Sequence, residues 1–288
     1  MIEQKFFAIP PPCEVESPIS WLARAASSQG ESLWSFVRLL GFTGRRDLDR
    51  QFTDAAPRHI AQVCGLSASS FDSSHRILSH ALELRLENPV LLVYMKRPRY
   101  RYCPLCLKSQ SVPYFPVHWR FDVWRMCYTH MCLMEDRCPH CDRYIVPQRD
   151  MMFAGPKRAG VAFLSQCMHC GKLLWKARPF SIHSRDLLSL HDYDRMQIAN
   201  GNAFVSALAQ GYADIPNVAD RTIKRCLPLA EKMRLLPSPE DGLTAEKIRK
   251  NCLFNASLGA ERSEGVHSNH KVSVSTAERR LKNLFGLS

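Results

Sequence analysis

The sequence has no long hydrophobic run. Its longest run of apolar residues, Val90–Met95, covers six positions, whereas a membrane-spanning helix needs about 20. The first residues, Met1–Pro12, contain no apolar stretch of the kind that marks a secretory signal peptide. These absences predict a cytoplasmic protein without a membrane segment.

The signatures of several enzyme classes are missing too. No glycine-rich phosphate loop, no spaced acidic triad for two-metal chemistry and no Ser/His/Asp arrangement stands out. The segment Val266-His-Ser-Asn-His270 resembles part of an HNH nuclease motif, but it lies in a polar stretch far from the cysteine-rich segment. We therefore predict a binding protein and adaptor, not an enzyme. An HNH-type nuclease remains a rival hypothesis.

Cysteine is the residue that the chain does have in a pattern. Its 12 cysteines among 288 residues are too few for a secreted disulfide scaffold, and in a reducing cytoplasm paired cysteines indicate metal binding. Eight cysteine and histidine residues form four pairs with a two-residue spacer, which lets both donors of a tight turn face one ion. The pairs are Cys103/Cys106, Cys127/His130, Cys138/Cys141 and Cys167/Cys170.

Four such pairs predict two structural zinc ions (Zn2+), each in a closed tetrahedral site with no position for a substrate water. Consecutive pairs can share an ion, or the first pair can join the third and the second the fourth in a cross-brace. Iron–sulfur ligation fits less well, since one donor is His130. Cys132 lies close enough along the chain to compete for the first ion. The isolated Cys13, Cys64, Cys226 and Cys252 are expected to be buried as small hydrophobic residues.

Positive charge is confined to the same part of the chain. The net charge is +12, and residues 1–95, 96–185 and 186–288 carry −1, +11 and +2. Two zinc ions bound by seven thiolates would leave residues 96–185 at about +8. A surplus confined to one segment indicates a surface that faces a polyanion, although a basic solvated face gives the same sum.

A short basic segment comes directly before the first cysteine pair. Its cations alternate with tyrosines, a pattern that suits phosphate contact combined with base stacking. The alternative is a strand whose tyrosines pack inward while its arginines are solvated. We predict nucleic-acid contacts by Lys96, Arg97, Arg99 and Arg101.

The remaining pattern predicts a mostly α protein with a small amount of β structure in three parts. Residues 1–95 form an N-terminal helical domain, residues 96–180 a tandem zinc-ribbon module, and residues 181–288 a C-terminal helical domain. Glycine after an apolar helix, as in Cys64-Gly65-Leu66, is compatible with a helix-turn-helix in the first part, and a purely structural helix pair fits as well. Short β-favouring runs occur at 99–102, 144–146 and 173–176, and helices are expected at 185–210, 217–236, 244–258 and from Ser275.

Several motifs together resemble one protein family. A proline-rich start leads into Glu16-Ser-Pro-Ile-Ser-Trp-Leu22, and Arg101-Tyr-Cys-Pro-Leu-Cys106 is followed by Trp119, Cys127 with His130, Leu133, and Cys138-Pro-His-Cys141. In order and content these motifs resemble the TniQ family over roughly residues 8–175.

The resemblance implies a target-selection factor of a bacterial transposon. TniQ and the related TnsD proteins are not transposases; they bind a target DNA or a CRISPR surveillance complex and recruit an AAA+ ATPase, TnsC or TniC. It also implies zinc at the eight paired positions, an N-terminal helix-turn-helix, and a bacterial cytoplasmic location, and a homodimer is compatible with it.

The targeting mode is left open. Members that read an attachment site directly often have a longer C-terminal portion, so direct DNA reading, CRISPR recruitment and ATPase-guided choice all remain. A zinc-containing DNA-binding transcription regulator is the alternative outside transposition.

Overall fold

The computed structural model describes residues 6, 8–43, 46–54, 57–84, 86, 89–148, 164–181, 192–215 and 218–236. All of them belong to one compact unit, Met1–Lys250. This part of the chain is mostly helical with a few short strands, which confirms the predicted fold class. None of its helices is long and apolar enough to cross a membrane. The predicted helices at 244–258 and from Ser275, and the segment 266–270, lie outside the described residues.

Five helices form the N-terminal part. They are α1 (Pro18–Ser28), α2 (Leu33–Leu39), α3 (Leu48–Asp54), α4 (Pro57–Val63) and α5 (Asp72–Glu83). Ser17 caps α1 by accepting a hydrogen bond from the Ser20 backbone N–H, and Pro18 occupies the first helical position, as the sequence indicates. The sequence pattern did not indicate α3. Its start is capped instead by Asp47, whose carboxylate accepts from the backbone N–H groups of Asp49 and Arg50.

Aromatic rings from α1, α2 and α3, together with Phe71 directly before α5, build the N-terminal core. The Trp21 ring lies 6.4 Å from Phe36, 6.2 Å from Phe52 and 4.7 Å from Phe71 between ring centroids, in edge-on arrangements. All four side chains are fully or almost fully buried. Edge-to-face contacts of this kind add to the free energy gained from burial, so they fix how α1, α2 and α3 pack.

Short elements make up the middle part. They are β1 (Val93–Tyr94), β2 (Arg97–Pro98), α6 (Pro104–Ser109), a 3-10 helix at Val117–Arg120, β3 (Met126–Cys127), β4 (Cys132–Leu133) and a 3-10 helix at Leu174–Lys176. Strands β1 and β2 form one antiparallel hairpin, and β3 and β4 form another. Two predicted β-favouring runs meet in an isolated bridge between Tyr100 and Ile145. The third run, 173–176, is mostly the 3-10 helix, which corrects the prediction of a strand there.

Two further helices, α7 (Asp192–Gln210) and α8 (Ile223–Lys232), follow. The α7 helix packs against α5, and His80 Nδ1 hydrogen-bonds the Leu208 carbonyl oxygen at 2.7 Å. The pair α4 and α5, with Gly65 at φ +68° between them, has the predicted helix–turn–helix order. Because α5 packs against α3 and α7, a DNA-reading role for α5 stays a prediction.

The N-terminal segment bonds directly to the middle of the chain. Glu16 is buried and accepts hydrogen bonds from Ser20 Oγ at 2.6 Å and Arg24 Nε at 2.9 Å. Ser20 Oγ in turn accepts from the Phe115 backbone N–H at 3.0 Å, and the Ser17 N–H donates to the Phe115 carbonyl at 2.9 Å. The motif Glu16–Leu22 therefore holds α1 against the segment between the first two pairs of metal-ligand candidates.

A buried ion cluster makes a second connection. Asp49, at the start of α3, accepts from Tyr100 Oη and Arg120 Nη1 at 2.5 Å each, and from the Ile19 backbone N–H at 3.0 Å. Arg120 also pairs with both oxygens of Asp47. Burial disfavours the charged guanidinium, but Asp49 and Asp47 outweigh it and raise the pKa of Arg120. Helix α3 is thus tied to the middle part, while the three-domain division stays a prediction.

Candidate metal centres and nucleic-acid interface

The first two pairs of the cysteine pattern meet in one cluster. Cys103 caps α6, and the Cys106 backbone N–H donates to its Sγ at 3.4 Å. Cys127 lies on β3, and His130 lies in the turn before β4. The Cys106 and Cys127 sulfurs are 3.6 Å apart, and His130 Nδ1 lies 3.3 Å from Cys106 Sγ and 3.6 Å from the other two sulfurs.

The last two pairs meet in a second cluster. The Sγ atoms of Cys138 and Cys170 are 3.7 Å apart, as are those of Cys141 and Cys167. Each pair sits in the same kind of turn. The Cys138 N–H donates to the Arg143 carbonyl at 2.9 Å, and the Cys167 N–H donates to the Lys172 carbonyl at 2.8 Å.

These distances fit a tetrahedral metal ion in each cluster. Bond lengths of about 2.3 Å to sulfur and about 2.0–2.1 Å to nitrogen place ligand atoms roughly 3.5–3.8 Å apart on a tetrahedron. Within each cluster the four donor atoms lie within 4.8 Å of one another. Both clusters could therefore hold a metal ion. The donors combine consecutive pairs, so the described structure decides for sequential pairing and against the cross-brace.

Hydrogen bonds already favour one thiolate in each cluster. Hydrogen bonds from the thiols of Cys106, Cys127 and Cys132 lower the pKa of Cys103. Burial raises the pKa of Cys170, but hydrogen bonds from the Lys172 backbone N–H and from the neighbouring thiols outweigh it and lower that pKa. A cation binds thiolate rather than thiol, so this charge state suits a metal ion.

Cys132 is a neighbour of the first cluster rather than one of its four donors. Its side chain is fully buried on β4, opposite Cys127, and its Sγ lies 3.6 Å from Cys103 Sγ. It is not among the donors that all lie close to one another. Of the isolated cysteines, Cys64 and Cys226 are buried as predicted, and burial raises the pKa of Cys64 to about 11. Cys13 is half-buried, and Cys252 lies outside the described residues.

The structure corrects the prediction for Arg101. Its side chain is buried, with 2% of the residue exposed. The guanidinium donates to Asp136 Oδ1 at 2.9 Å and to Asp122 Oδ1 at 2.8 Å. Burial opposes the charge, but Asp136 and Asp122 outweigh it and raise the pKa of Arg101. Arg101 therefore stabilises the interior and cannot reach a phosphate in this conformation.

Arg99 is also engaged inside the protein. It forms an ion pair with Asp136 at 3.5 Å, and its guanidinium lies 4.5 Å from the centre of the Tyr144 ring. Burial lowers the pKa of Arg99, and Asp136 partly offsets the effect. Of the four predicted nucleic-acid contacts, only Lys96 is exposed, while Arg97 is half-buried.

The second cluster presents cations that the sequence analysis did not single out. Arg143 and Lys172 are exposed at equivalent positions, two residues after the second cysteine of each pair. Arg143 Nη1 lies 3.3 Å from His169 Nδ1 of the other pair. The signal in the sequence is the repeat Cys-x-His-Cys-x-Arg/Lys at 138–143 and 167–172. Lys176 and Arg178 are exposed nearby in the chain.

A known family matches the part of the chain that contains the first cluster. No curated protein matches the chain. The family model TniQ matches residues 7–134, a range that contains the Glu16–Leu22 motif, the ion cluster around Arg120 and all four donors of the first cluster. The second cluster follows directly after it. Residues 7–134 are thus a TniQ domain.

Proposed function

We propose that this protein selects target sites in DNA transposition, as an adaptor that links target DNA or an RNA-guided CRISPR complex to an AAA+ ATPase of the TnsC/TniC type. The observation that carries the proposal is the TniQ domain at residues 7–134, which includes a complete Cys3His cluster. TniQ proteins are transposon-associated target-selection factors, so the domain supports this function above a general DNA-binding role.

We infer that both clusters hold zinc. Three thiolates with one imidazole, and four thiolates, are donor sets that zinc takes in closed structural sites. The separations of 3.3–3.7 Å between sulfur and nitrogen or sulfur and sulfur support tetrahedral coordination. When bound, zinc would supply cross-links. Cys103 and Cys106 would hold α6 against the β3–β4 turn, and the second cluster would hold its two turns together.

A structural role of the metal supports an adaptor rather than an enzyme. Four protein donors fill a tetrahedral ion and leave no position at which a water or substrate oxygen could be activated. The His267 and His270 of the HNH-like segment lie outside the described residues. The proposal therefore assigns binding, and no bond-breaking step, to this chain.

Contact with DNA is supported by the surface of the second cluster. Arg99, Arg101 and Arg120 form ion pairs inside the protein. The positive charge of the middle part is therefore not spread evenly over its surface. Arg143, Lys172 and Lys176 are exposed. Lysine and arginine that neutralise phosphates give affinity that does not depend on sequence. Sequence choice would then come from the partner complex.

Reconstitution tests the proposal. The full-length protein is combined with the transposase and AAA+ ATPase of its own element, and insertions are mapped with and without this chain. We expect the ATPase to co-purify with the protein and targeted insertion to depend on it. Cys170→Ser, which removes a donor of the second cluster, should reduce both. Arg221→Ala, which removes only an exposed pair with Asp214, should leave both unchanged.

Two results would contradict the adaptor. If no ATPase co-purifies and the protein alone binds one operator-like sequence tightly, it is a transcription regulator. If insertion sites are the same without the chain, target selection lies elsewhere. Adding the CRISPR complex or plain target DNA in separate reactions then assigns the targeting mode.

A further inference from the structure

The hairpin of β1 and β2 ends in an unusual turn. Val93 pairs with Pro98 and Tyr94 with Arg97, so the turn consists only of Met95 and Lys96. Their φ angles are +50° and +60°. Two-residue turns with both residues in this region normally contain Asn-Gly, because a side chain there costs about 1–2 kcal/mol per residue. A turn needed only to reverse the chain would not favour methionine followed by lysine.

The base of the hairpin is firmly anchored. The Tyr94 and Tyr144 rings are 4.9 Å apart between centroids. The guanidinium of Arg99, the residue directly after β2, lies over the Tyr144 ring. The Leu92 backbone N–H donates to the Arg120 carbonyl at 2.8 Å, and the Arg99 N–H donates to the Leu92 carbonyl at 3.1 Å. The tip therefore projects from a fixed base next to the buried ion cluster.

The tip combines an apolar side chain with cations. Met95 is 70% exposed, more than any other large hydrophobic residue of the described segments, and Val93 on β1 is 53% exposed. Lys96 follows directly and is exposed, and Arg97 is half-buried beside it. Solvation alone does not favour an apolar side chain at the outermost point of a turn, which indicates that Met95 contacts a partner.

We propose that this hairpin enters a groove of duplex DNA, with Met95 against a base step and Lys96 and Arg97 at the flanking phosphates. Proteins that insert an apolar side chain such as Phe, Leu, Ile, Met or Pro between base steps unstack them and kink the duplex. A methionine side chain is slender and adaptable enough for this. The inference rests on the proposed function, because it names how the adaptor touches target DNA.

The positive charge of the hairpin favours DNA over a protein partner. The hairpin adds cations to a chain whose net charge is +12, and a polyanion complements them. Residues of the basic segment then have two different roles. Arg99 and Arg101 hold the base through Asp136, whereas Lys96 and Arg97 are carried to the DNA. The experiment must distinguish DNA from an acidic protein partner with an apolar pocket.

DNA binding by the full-length, metal-loaded protein tests the hairpin. Affinity is measured by fluorescence anisotropy over a series of salt concentrations, and unstacking by the emission of 2-aminopurine in the duplex. Met95→Ala keeps the backbone strain and removes the apolar reach. We expect it to weaken binding by about tenfold and to abolish the 2-aminopurine signal, with the salt slope unchanged. Met95→Leu should restore both readouts.

Two further variants complete the set. Lys96→Ala should lower the salt slope by about one unit. Met233→Ala removes another exposed methionine, 52% exposed beyond α8, and should behave as wild type. If Met95→Ala binds DNA and changes 2-aminopurine emission as wild type does, the proposal is wrong. If that variant instead loses co-purification with the ATPase, the tip contacts protein.

The two proposals fail separately. Loss of DNA unstacking in Met95→Ala with no ATPase association in any variant supports the hairpin and contradicts the adaptor. ATPase association and targeted insertion that are unchanged in Met95→Ala, together with unchanged DNA binding, support the adaptor and contradict the hairpin.

Discussion

Arg120 and Asp49 lie 71 residues apart in the chain, yet their side chains form an ion pair at 2.5 Å in which neither is exposed to solvent. Tyr100 donates to the same carboxylate, and Arg120 reaches Asp47 on its other side. The pair joins helix α3 to the segment between the first two cysteine pairs. The position of the first metal-ligand cluster therefore depends on a contact with the N-terminal helices.

Removing one partner of this pair should be strongly destabilising. Asp49→Ala leaves the Arg120 charge buried, and we expect it to lower the free energy of unfolding by about 3–5 kcal/mol. Arg120→Met should have a similar effect. Denaturant unfolding of the metal-loaded protein measures both. Arg221→Ala, at an exposed pair, should cost at most about 1 kcal/mol. Equal small losses in all three variants would show that the cluster contributes little.

The full-length protein should contain two zinc ions. Because zinc binding supplies folding free energy, chelation should unfold the middle part of the chain. Elemental analysis of protein purified without chelators measures the count. Cys103→Ser and Cys170→Ser should each lower it, whereas Cys132→Ser should leave it at two, since Cys132 is not one of the four donors that lie close to one another. A count of one in the wild type, or a loss in Cys132→Ser, contradicts the assignment of donors.

Arg101 and Lys96 should behave in opposite ways, although both belong to the same basic segment. Arg101→Ala removes the partner of Asp136 and Asp122 and should reduce thermal stability. Lys96→Ala should leave stability unchanged and weaken DNA binding in a salt-dependent way. Melting temperature and anisotropy are measured on the same preparations. A stable Arg101→Ala protein with uniformly weaker DNA binding would restore Arg101 as a phosphate contact.

Acid should destabilise the protein partly through His118. This residue is half-buried, its ring lies 4.4 Å from that of Trp124, and loss of solvation lowers its pKa to about 3. The unfolded chain takes up a proton near pH 6.5 and the folded chain does not, so stability falls as pH drops from about 6.5 towards 3. His118→Phe should flatten this part of the stability curve. Any metal held by the two clusters would be lost in acid from both proteins, so the difference between their stability curves isolates His118.

The protein should not cut DNA. With both metal shells filled by protein donors, incubation with duplex DNA and magnesium is expected to give no nicks or breaks. Gel analysis of supercoiled plasmid detects either product. Cleavage that disappears in a His267→Ala/His270→Ala variant would favour the HNH nuclease instead.

Local rules made much of the candidate site predictable. A two-residue spacer fixes two donors in one turn whatever surrounds it, so the eight positions and the two-site count follow from the sequence. Helix starts with strong caps, such as Ser17-Pro18, were predictable for the same reason. Helix α3 was not, because it is short and its apolar residues serve a core that only the packed helices create.

What the sequence by itself determined is the inventory: four donor pairs, a basic middle segment, and helices on either side of it. Only the tertiary structure decided which donor pairs meet in one cluster, and that Cys132 approaches Cys103 without joining the four donors. It also separated the buried Arg101 from the exposed Lys96, five residues before it. The physical reason is the distance along the chain between the residues that interact. Donor spacing and helix caps are settled within a few residues, whereas the burial of a charge depends on where Asp122 and Asp136 arrive when the chain packs.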